Sequence, residues 1–553
     1  MKPRVYLYGM VIIILIIIII TVVLYNKTTI IKSERPNIVV IIADDMGRDD
    51  VSYHGSDQIM TPNIDLLAYS GVALERYYTH CVCTPSRSAL YTGKFAHTLG
   101  MQGFPLTNGE DRGIPLKEKL LPQYLKSLGY ATHLVGKWHV GHSRKAFLPT
   151  FRGFDTHFGH RLGYIDYYEY FVDIMTAFGD LSGLDLHRNL DADWTSNKYV
   201  TDLYTEEALS VIKSHNLEVP LFLTVAHNAP HAGNRGATLQ APPEDVRAMR
   251  HVASAQRRIY AAMVKKLDDS VGDIVKALYD KRILDNTLIV FVSDNGGMTT
   301  GDFMNYASNW PLRGIKMTPF EGGIRVNGLL WSQNLTNSNN HVWDGYMHAV
   351  DWVPTLLKAA GAEPPSAIDG LDLWENITSN TDSKRDVMFE IDDYNGFASI
   401  IAGDFKLVTG NVPQNMANHQ GENLRGIIGR APSYVDTLKN SKVYTTLEEI
   451  GIKIPLEDNV IRNRTKISCN KDTKKDICYP DKVKGKLCLF NIKEDPCETR
   501  DISQTYPQVA EDMNTRLQAE IQRMIPRQVP FSYDSRAHPS LHNFTWTTWA
   551  DEI

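Results

Sequence analysis

The chain has 553 residues, of which 43% are apolar and 22% are charged, and this composition is typical of a folded globular protein. Its length suffices for one large hydrophobic core and a second, smaller unit. The formal net charge of −6 means that basic residues are not in excess, which argues against nucleic acid as a partner. An anionic ligand would therefore have to be attracted by local cations or by a metal.

The first element in chain order is an apolar segment at residues 5–25, preceded by the basic residues Lys2 and Arg4. At ~1.5 Å per residue, a helix of this length spans roughly the 30 Å core of a bilayer. It is longer than the apolar region of a cleaved signal peptide and lacks a small-residue cleavage site. We therefore expect a cytoplasmic end at residues 1–4, an uncleaved signal anchor at 5–25 and a linker at 26–35. A cleaved signal and a secreted product are the alternative.

The rest of the chain is expected in the lumen of the secretory pathway or outside the cell, because basic residues stay on the cytoplasmic side of an anchor. The lysosome, the Golgi and the cell surface all fit this orientation. Asn-x-Thr sequons agree with it and predict four glycosylation sites: Asn334, Asn376, Asn463 and Asn543.

Short apolar runs rich in β-branched residues each end abruptly in polar residues, which is typical of buried parallel strands. Four such runs cover residues 38–43, 132–135, 221–226 and 287–292. Helical patterns separate them, most clearly from Tyr260 to Leu278, where apolar residues recur three or four positions apart. The alternation predicts an α/β fold with a doubly wound sheet, and such sheets bind ligands at the carboxyl ends of their strands.

Acidic and amide side chains directly follow two of these strands. Asp44 and Asp45 follow the first strand, and Asp294 and Asn295 follow the last. Oxygen ligands of this kind suit Ca²⁺ or Mg²⁺, whereas Zn²⁺ would draw His or Cys. We therefore predict a hard-cation site, with two ordinary acidic turns as the alternative. Two further acidic residues lie beyond the strand end and are expected to be solvated: Asp49 and Asp50.

Cys83 stands where a short helix is expected to begin. Pro85 fits the first turn of that helix, where its missing N–H costs nothing. The amide end of the helix would then point at Cys83 and favour a tetrahedral anion there. The alternatives are a buried structural cysteine or a disulfide partner of Cys81.

Lys137 and His139 stand two positions apart after the second strand, so in an extended conformation they would face the same way. A lysine can neutralise an anionic oxygen, and a histidine can donate a proton to a leaving oxygen. His231 and Lys316 are weaker candidates of the same kind. Other histidines are expected to be structural or to support the site: His133, His157, His160 and His227.

After about Leu373 the pattern changes to the short strands of a meander, followed by a helix at 507–524. We expect a catalytic domain at 36–385 and a smaller C-terminal α+β subdomain at 386–553, with an antiparallel sheet and one helix. The polar stretch at 411–486 is expected to be irregular, tied by disulfides or partly disordered.

The string Cys83-Thr-Pro-Ser-Arg87, with Thr92-Gly93 at its fixed offset, closely resembles the signature by which sulfatases mark a cysteine for oxidation to formylglycine (3-oxoalanine). From about Pro36 to the C-terminal helix the chain resembles the sulfatase family, within the alkaline-phosphatase-like fold. It is similar in detail to the group of arylsulfatases B, I and J. Further strings carry the resemblance: residues 36–45, 135–141, 293–297, 309–316 and 321–325.

The resemblance implies a role for each candidate residue. The ligands of Ca²⁺, with Mg²⁺ less favoured, would be Asp44, Asp45, Asp294, Asn295 and the modified Cys83. The sulfate contacts would be Lys137, His231 and Lys316. Arg87 would hold the formylglycine hydrate, and His139 would stabilise its hydroxyl. The chain departs from arylsulfatase B after Leu106, where residues 108–113 replace its cysteines, so the sugar specificity stays open.

The remaining cysteines follow from the same assignment. Four of them crowd a polar region and are expected to form disulfides in an oxidising compartment: Cys469, Cys478, Cys488 and Cys497. If Cys83 serves catalysis, an odd number is left, and Cys81 is a thiol without an evident partner.

The implied activity is hydrolysis of a sulfate ester. One hydroxyl of the hydrated aldehyde attacks sulfur, the alcohol leaves with a proton from His231, and the second hydroxyl then expels sulfate. The substrate would be an aryl sulfate or a sulfated glycan, such as the 4-sulfated N-acetylgalactosamine of chondroitin or dermatan sulfate. A formylglycine-generating enzyme would be a partner. The alternatives are a phosphate- or phosphonate-ester hydrolase of the same superfamily and a catalytically silent glycan-binding protein.

Overall fold

The computed structural model of the protein describes residues 33–176, 179–335, 342–421, 424–454, 456, 460–469, 477–527 and 533–551. Within these ranges, no helix has both the length and the apolarity that crossing a bilayer requires. The predicted anchor at residues 5–25 lies outside the described residues.

The described residues form strands in three separate sheets. In chain order the strands are β1 (Asn37–Ala43), β2 (Val72–Tyr78), β3 (Ala131–Gly136), β4 (Thr156–Gly159), β5 (Phe171–Thr176), β6 (Gly179–Leu184), β7 (His187–Arg188), β8 (Asp191–Ala192), β9 (Leu221–Ala226), β10 (Thr287–Ser293), β11 (Gly328–Trp331), β12 (Val342–His348), β13 (Val387–Asp392), β14 (Phe397–Ala402), β15 (Phe405–Gly410) and β16 (Cys488–Asn491).

Helices lie between and around these strands. They are α1 (Pro62–Ser70), α2 (Cys83–Thr92), α3 (Leu121–Ser127), α4 (Val200–Ser214), α5 (Pro243–Ala248), α6 (Ala255–Asp280), α7 (Glu321–Ile324), α8 (Trp352–Ala359), α9 (Trp374–Thr378), α10 (Gln414–Ala417), α11 (Tyr434–Lys439), α12 (Lys442–Glu449), α13 (Val460–Thr465) and α14 (Pro507–Arg523). Single 3-10 turns add short connections, among them Arg48–Asp50 directly after the loop that follows β1.

The large sheet has ten strands in the order β12-β2-β11-β10-β1-β9-β3-β4-β7-β8. Its centre, from β10 to β4, is parallel, and antiparallel strands flank it on both sides. All four apolar runs predicted as buried parallel strands lie side by side in this centre, as β10, β1, β9 and β3. The predicted doubly wound α/β sheet is therefore confirmed.

The sheet is buried on both faces because its central strands are apolar at most positions. In β1, Val39, Ile41 and Ala43 belong to the core beneath α1, α4 and α6, whereas Ile38, Val40 and Ile42 belong to the core beneath α2, α3 and α8. Successive side chains of a strand point to opposite faces, so an unbroken apolar run serves both helix layers at once. Helix α6 covers residues 255–280 and includes the predicted apolar stripe from Tyr260 to Leu278.

The C-terminal part forms a four-stranded antiparallel sheet in the order β13-β14-β15-β16. Helix α14 packs on one face of it, where Met513 and Leu517 contact the core formed by Ile400, Leu407 and Leu489. The predicted antiparallel sheet with one helix is confirmed. Strands β5 and β6 pair separately as a two-stranded antiparallel ribbon.

The polar stretch at 411–486 contains more regular structure than its composition indicated. It includes the short helices α10 to α13. Leu438, Val443 and Leu447, from α11 and α12, belong to the same core as α1 and α6 of the large sheet. This stretch, which was expected to be irregular, therefore also supports the large sheet.

The expectation that Asp49 and Asp50 are solvated is wrong. The 3-10 turn Arg48–Asp50 directs both inward, and they are 4% and 0% exposed. Asp50 accepts hydrogen bonds from Arg257 at 2.6 Å and from the hydroxyl of Tyr260 at 2.5 Å. Because these partners satisfy the carboxylate, Asp50 belongs to a buried structural network.

Candidate active site

The carboxyl ends of the four central strands meet at one edge of the large sheet. The pairing register places Ala43 beside Ser293, and Ala226 beside both Ile42 and Gly136. The next residues along each strand are therefore neighbours in space: Asp44 and Asp45, Asp294 and Asn295, Lys137, and His227. The predicted convergence of polar side chains at this edge is what the structure shows.

Two of these residue pairs bind one another through short polar contacts. The backbone N–H of Asp45 donates to Oδ1 of Asp294 at 3.2 Å, and Nδ2 of Asn295 donates to Oδ1 of Asp45 at 2.7 Å. Asp45 has a φ of 60°, a left-handed conformation that is unusual outside glycine. This bend turns its carboxylate back toward the end of β10.

Three oxygens of this cluster are buried and lack a hydrogen-bond partner within the described residues: Oδ1 of Asp44, Oδ2 of Asp45 and Oδ1 of Asn295. Buried polar atoms are normally satisfied, so oxygens left in this way on adjacent residues fit a cation that would coordinate them. One atom each of Asp44, Asp45 and His231 lies within 4.8 Å of the others. The donor set therefore fits a hard divalent cation.

Cationic side chains surround the same carboxylates. Nζ of Lys137 lies 2.6 Å from Oδ2 of Asp44, and Nζ of Lys316 lies 2.6 Å from Oδ1 of Asp45. The guanidinium of Arg87 lies 2.8 Å from Oδ2 of Asp294 and 3.8 Å from Oδ2 of Asp44. All of these charges are buried, where electrostatic interactions are stronger than in water.

Cys83 is the first residue of α2, as predicted, and it is 2% exposed. Burial raises the pKa of its thiol, although Lys137 and Lys316 lower it in part. Cys83 makes no disulfide, so the alternative of pairing with Cys81 is wrong. The helix places Arg87 one turn further along, where it reaches Asp294. Position 83 is therefore a buried site with two lysines, an arginine and a carboxylate cluster close by.

Thr84 and His139 fix the loop that faces Cys83. The hydroxyl of Thr84 donates to the carbonyl of His139 at 3.0 Å and accepts the N–H of Leu106 at 3.0 Å. Nε2 of His139 contacts the carbonyl of Leu106 at 3.0 Å. The extended conformation expected for Lys137 and His139 is wrong, because β3 ends at Gly136 and His139 has a φ of 59°.

His231 lies beside Asp45 and Lys316. Its Nδ1 donates to the carbonyl of Ala232 at 2.6 Å, which leaves Nε2 to face Nζ of Lys316 at 3.3 Å and Oδ2 of Asp45 at 3.4 Å. The ring stacks on Tyr164 with centroids 5.8 Å apart and 6° between planes. Burial lowers the pKa of His231 to about 3. The hydrogen bond to Ala232 and the stacking on Tyr164 therefore fix the orientation of the His231 ring.

A cavity of about 970 Å³ opens over Cys83, His139, His231 and Lys316. Its outer walls come from the loop at 104–109, the β5–β6 ribbon, and single aromatic residues. Sequence reasoning missed these wall residues: Tyr164, Ile174, Leu181, Phe303 and Tyr533. They belong to no motif, and their only signal was an aromatic or apolar residue outside a periodic pattern.

The histidines that were expected to be structural or to support the site do not line the cavity. His227 contacts Ser270 at 3.0 Å, His160 contacts the hydroxyl of Tyr204 at 2.7 Å, and His157 contacts the carbonyl of Gly136 at 3.0 Å. His133 contacts Thr156 at 2.8 Å. Each of these rings therefore has a local partner.

The sequons occupy two kinds of position. Three asparagines are exposed: Asn334, Asn463 and Asn543. Asn376 is buried, and its Nδ2 donates to the carbonyl of Asp382 at 2.6 Å. A glycan on Asn376 would therefore have to be attached before this part of the chain folds.

The cysteines outside the site pair as expected. Cys469 pairs with Cys497, and Cys478 pairs with Cys488. Cys81 is a buried free thiol that donates to Oε1 of Glu390 at 3.3 Å. Glu390 also contacts Nδ1 of His80 at 2.7 Å, so Cys81 belongs to a polar contact between the start of α2 and strand β13.

Comparison with known proteins adds independent findings. The sulfatase family profile matches residues 36–362. Arylsulfatase J of Mus musculus is 34% identical over 543 residues, covering 94% of this chain and 81% of that protein. N-acetylgalactosamine-6-sulfatase of Sus scrofa is 34% identical over 388 residues, covering 64% of this chain and 68% of that protein.

A solved structure is similar over nearly the whole chain. It is the crystal structure of Ps i-CgsB in complex with k-i-k-neocarrahexaose, with a TM-score of 0.69 and 27% identity. The match covers 91% of this chain and 96% of that one.

Proposed function

Because this chain belongs to the sulfatase family and is a sulfuric ester hydrolase, we propose that it removes sulfate from a sulfated glycan at the site around Cys83. The observation that carries the proposal is the meeting of three cationic side chains and three carboxylates beneath a large cavity. A similar sulfatase acts on N-acetylgalactosamine-6-sulfate by name, and a similar structure holds an oligosaccharide. Both likenesses favour a carbohydrate substrate.

We propose that Cys83 is converted to formylglycine by a separate formylglycine-generating enzyme. The hydrate of that aldehyde would supply a nucleophilic hydroxyl and a second hydroxyl whose deprotonation releases the sulfate. A buried, uncharged thiol is a weak nucleophile, and burial keeps the pKa of the Cys83 thiol raised. The pocket therefore suits the modified residue better than the thiol.

The cations around Cys83 would bind the sulfate and hold the modified residue. Lys137 and Lys316 each place an ammonium group in a buried setting, where it stabilises negative charge on sulfate oxygens. Arg87 would hold the modified side chain from one turn along α2. His139 would stabilise its hydroxyl, since it lines the same cavity.

His231 is the proposed proton donor to the leaving alcohol. Its Nδ1–H is committed to the carbonyl of Ala232, so the proton to be transferred would sit on Nε2. A bound sulfate ester brings negative charge toward this ring, which opposes the effect of burial and favours the protonated form. The stacked Tyr164 holds the ring in place.

The oxygens of Asp44, Asp45, Asp294 and Asn295, together with the modified residue 83, are the proposed ligands of Ca²⁺. A bound Ca²⁺ would supply positive charge to the sulfate oxygens. The three partnerless oxygens on Asp44, Asp45 and Asn295 support this assignment. Both oxygens of Asp294 already accept hydrogen bonds, from Asp45 and Arg87, so it would use its remaining lone pairs.

The compartment proposed for the enzyme is the secretory pathway. Two disulfides support an oxidising environment, in which such bonds persist. Whether residues 5–25 anchor the protein in a membrane stays a prediction. Expression with microsomes tests this prediction: a shorter polypeptide would indicate cleavage, whereas an uncleaved anchor leaves the chain at full length.

The first test compares Cys83→Ser with Cys81→Ser, a matched change two residues away. With 4-nitrophenyl sulfate, Cys83→Ser should lose turnover because serine has no second hydroxyl to expel sulfate, and intact mass should show a sulfated enzyme. Cys81→Ser should keep most activity, because serine can donate to Glu390 as the thiol does. Peptide mass spectrometry of the wild type should show an aldehyde at position 83.

Full turnover by Cys83→Ser would contradict the proposed nucleophile. Faster hydrolysis of 4-nitrophenyl phosphate than of the sulfate would favour a phosphate-ester hydrolase instead. An unmodified Cys83 together with no turnover would point to a protein that binds glycans without cleaving them.

The second test removes the metal. Treatment with EGTA should abolish turnover and lower the melting temperature, because the packed carboxylates then lose the cation that offsets their charge. Added Ca²⁺ should restore both quantities, and Mg²⁺ should restore them less. Asn295→Ala should weaken the recovery by Ca²⁺ in both readouts. Unchanged melting and turnover in EGTA would rule out the proposed site.

A further inference from the structure

The C-terminal segment at residues 533–551, here called the C-terminal arm, crosses the large domain beside the cavity. The N–H of Asp534 donates to the carbonyl of Gly109 at 3.0 Å. The N–H groups of Trp549 and Ala550 both donate to the carbonyl of Ser143 at 3.0 Å. The ring of Trp549 also contacts His142 edge-on, with centroids 5.1 Å apart.

The same arm also holds the β5–β6 ribbon. The N–H of Leu184 donates to the carbonyl of Phe544 at 2.8 Å, and the N–H of Trp546 donates back to the carbonyl of Leu184 at 2.9 Å. Nε1 of Trp546 donates to the carbonyl of Val172 at 3.1 Å. These three bonds tie the arm to both strands of the ribbon, and the side chain of Trp546 is buried there.

The arm therefore joins the two structures that form the outer cavity. One is the loop at 104–109 and the other is the β5–β6 ribbon, and both line the cavity over Cys83. Tyr533 lines it directly. Its ring packs on Gly109 so closely that a Cβ at position 109 would lie 2.3 Å from Cδ2 of Tyr533.

This outer cavity is larger than a sulfate group requires, and its aromatic lining suits a larger organic ligand. Its volume of about 970 Å³ is at the upper end of the roughly 300–1,000 Å³ of pockets that enclose whole organic ligands. Its lining includes four aromatic side chains: Phe104, Tyr164, Phe303 and Tyr533. Flat aromatic faces suit the apolar faces of sugar rings.

We propose that Tyr533 and the C-terminal arm form a binding wall for the sugar units that extend beyond the sulfated one. Tyr533 contacts the glycan chain, and Trp546 acts as a positioning residue by holding the β5–β6 ribbon opposite. The arm thus determines how well an oligosaccharide is bound relative to a small sulfate ester. This inference rests on the proposed function, because the experiment that tests it measures the release of sulfate.

The experiment measures kcat and KM of the full-length enzyme on three classes of substrate. These are 4-nitrophenyl sulfate, sulfated N-acetylgalactosamine, and tetrasaccharides prepared from chondroitin 4-sulfate, chondroitin 6-sulfate and a sulfated galactan. For Tyr533→Ala we expect kcat/KM on the preferred tetrasaccharide to fall about tenfold, equivalent to about 1.4 kcal/mol. The fall should come from KM, and the two small substrates should change less than about twofold.

Three further variants separate contact with substrate from a general loss of structure. Tyr533→Phe keeps the ring and should restore most of the tetrasaccharide activity. Gly109→Ala forces the Tyr533 ring aside and should reproduce the selective loss without touching Tyr533. Leu541→Ala changes an exposed side chain that does not line the cavity, and it should behave as the wild type.

Equal losses on all three classes of substrate in Tyr533→Ala would overturn the inference, because the arm would then act only on stability. So would an unchanged tetrasaccharide activity in that variant, or a wild type that hydrolyses 4-nitrophenyl sulfate but none of the tetrasaccharides. A wild type inactive on every sulfate ester would instead refute the proposed function.

Discussion

Asp45 and Asp294 are neighbours whose surroundings move their pKa values in opposite directions. Burial raises the pKa of both. At Asp45, Lys316 and His231 overcome burial and lower the pKa to about 2. At Asp294, the charge of Asp44 adds to burial, and the pKa rises to about 6 despite Arg87. Asp45 is thus held as an anion by the protein alone, whereas ionised Asp294 would gain from a further positive charge.

Asp185 gives a prediction about pH that does not involve the catalytic cluster. It is fully buried, and burial raises its pKa to about 8 although the N–H groups of Arg161 and Leu162 donate to it. The pKa of Asp185 is higher in the folded state than in the unfolded chain, so protonation of this carboxyl favours folding. Its stabilising contribution is therefore complete below about pH 4. It is lost as pH rises through 8.

We expect the free energy of unfolding of Asp185→Asn to fall less between pH 4 and pH 8 than that of the wild type. Asparagine stays neutral and can accept the same backbone hydrogen bonds. Each unit of pKa shift corresponds to about 1.4 kcal/mol, so the difference from wild type should reach several kcal/mol at most. Urea denaturation across this range measures it, with the exposed Asp57→Asn as control. Parallel pH profiles for wild type and Asp185→Asn would contradict it.

The charged half of the site could be predicted from sequence, and the apolar half could not. Asp44, Asp294 and Lys137 directly follow buried strands, so the topology of a parallel sheet brings them together. Tyr164 and Tyr533 reach the cavity through irregular loops. Their positions depend on long-range packing that leaves no periodic pattern in the sequence.

At the scale of elements, the stability of helix α2 depends on its C-terminal cap as well as on its N-terminal residues. Gly93 caps it with a φ of 71°, and its N–H donates to the carbonyl of Ala89 at 2.9 Å. A Cβ there would lie 3.0 Å from Cδ1 of Ile368 and 3.2 Å from Cβ of Val353. The helix that carries Cys83 is therefore closed by a position that favours glycine.

Gly93→Ala should lower the free energy of unfolding by about 2 kcal/mol, since it combines left-handed strain of about 1 kcal/mol with crowding. Gly129→Ala is the matched control, because Gly129 has a φ of 90° but open space around it, and it should cost only about 1 kcal/mol. Chemical denaturation measures both. Equal losses would show that crowding at Gly93 contributes nothing.

Elements with strong periodicity were predictable, and the short helices of the polar stretch at 411–486 were not. The central strands and α6 each repeat one pattern over several residues. Helices α11 and α12 are only 6 and 8 residues long, and they are stable because Leu438, Val443 and Leu447 pack on the helices of the large sheet. Isolated helices this short are marginal in water, so their local sequence carries little signal.

At the scale of the whole molecule, buried charges join the small sheet to the large domain. Lys406 of β15 is fully buried, and its Nζ lies 3.1 Å from Glu321 in α7 and 2.8 Å from Glu498. Arg313 adds to this junction by donating to the carbonyls of Cys478 and Glu498. The two sheets therefore share a polar network as well as apolar contacts.

Lys406→Met should destabilise the protein by roughly 3–5 kcal/mol, because it leaves Glu498 buried without its cation and leaves Glu321 with Arg325 alone. Lys493→Met removes an exposed lysine that lies 3.2 Å from Asp404, and it should cost less than about 1 kcal/mol. Urea denaturation followed by fluorescence compares the two. A small loss for Lys406→Met would mean that water reaches the junction.

The contacts of the C-terminal arm and the segment before it have a consequence for the order of events at the ribosome. Arg527 bonds to Glu110 across 417 residues, and Lys145 bonds to Asp551 across 406. At about 5–20 residues per second, the loop beside Cys83 is made roughly 20–80 s before the residues that close over it. The proposed oxidising enzyme would have that interval in which to reach the nascent Cys83, so slower translation would allow more molecules to be modified.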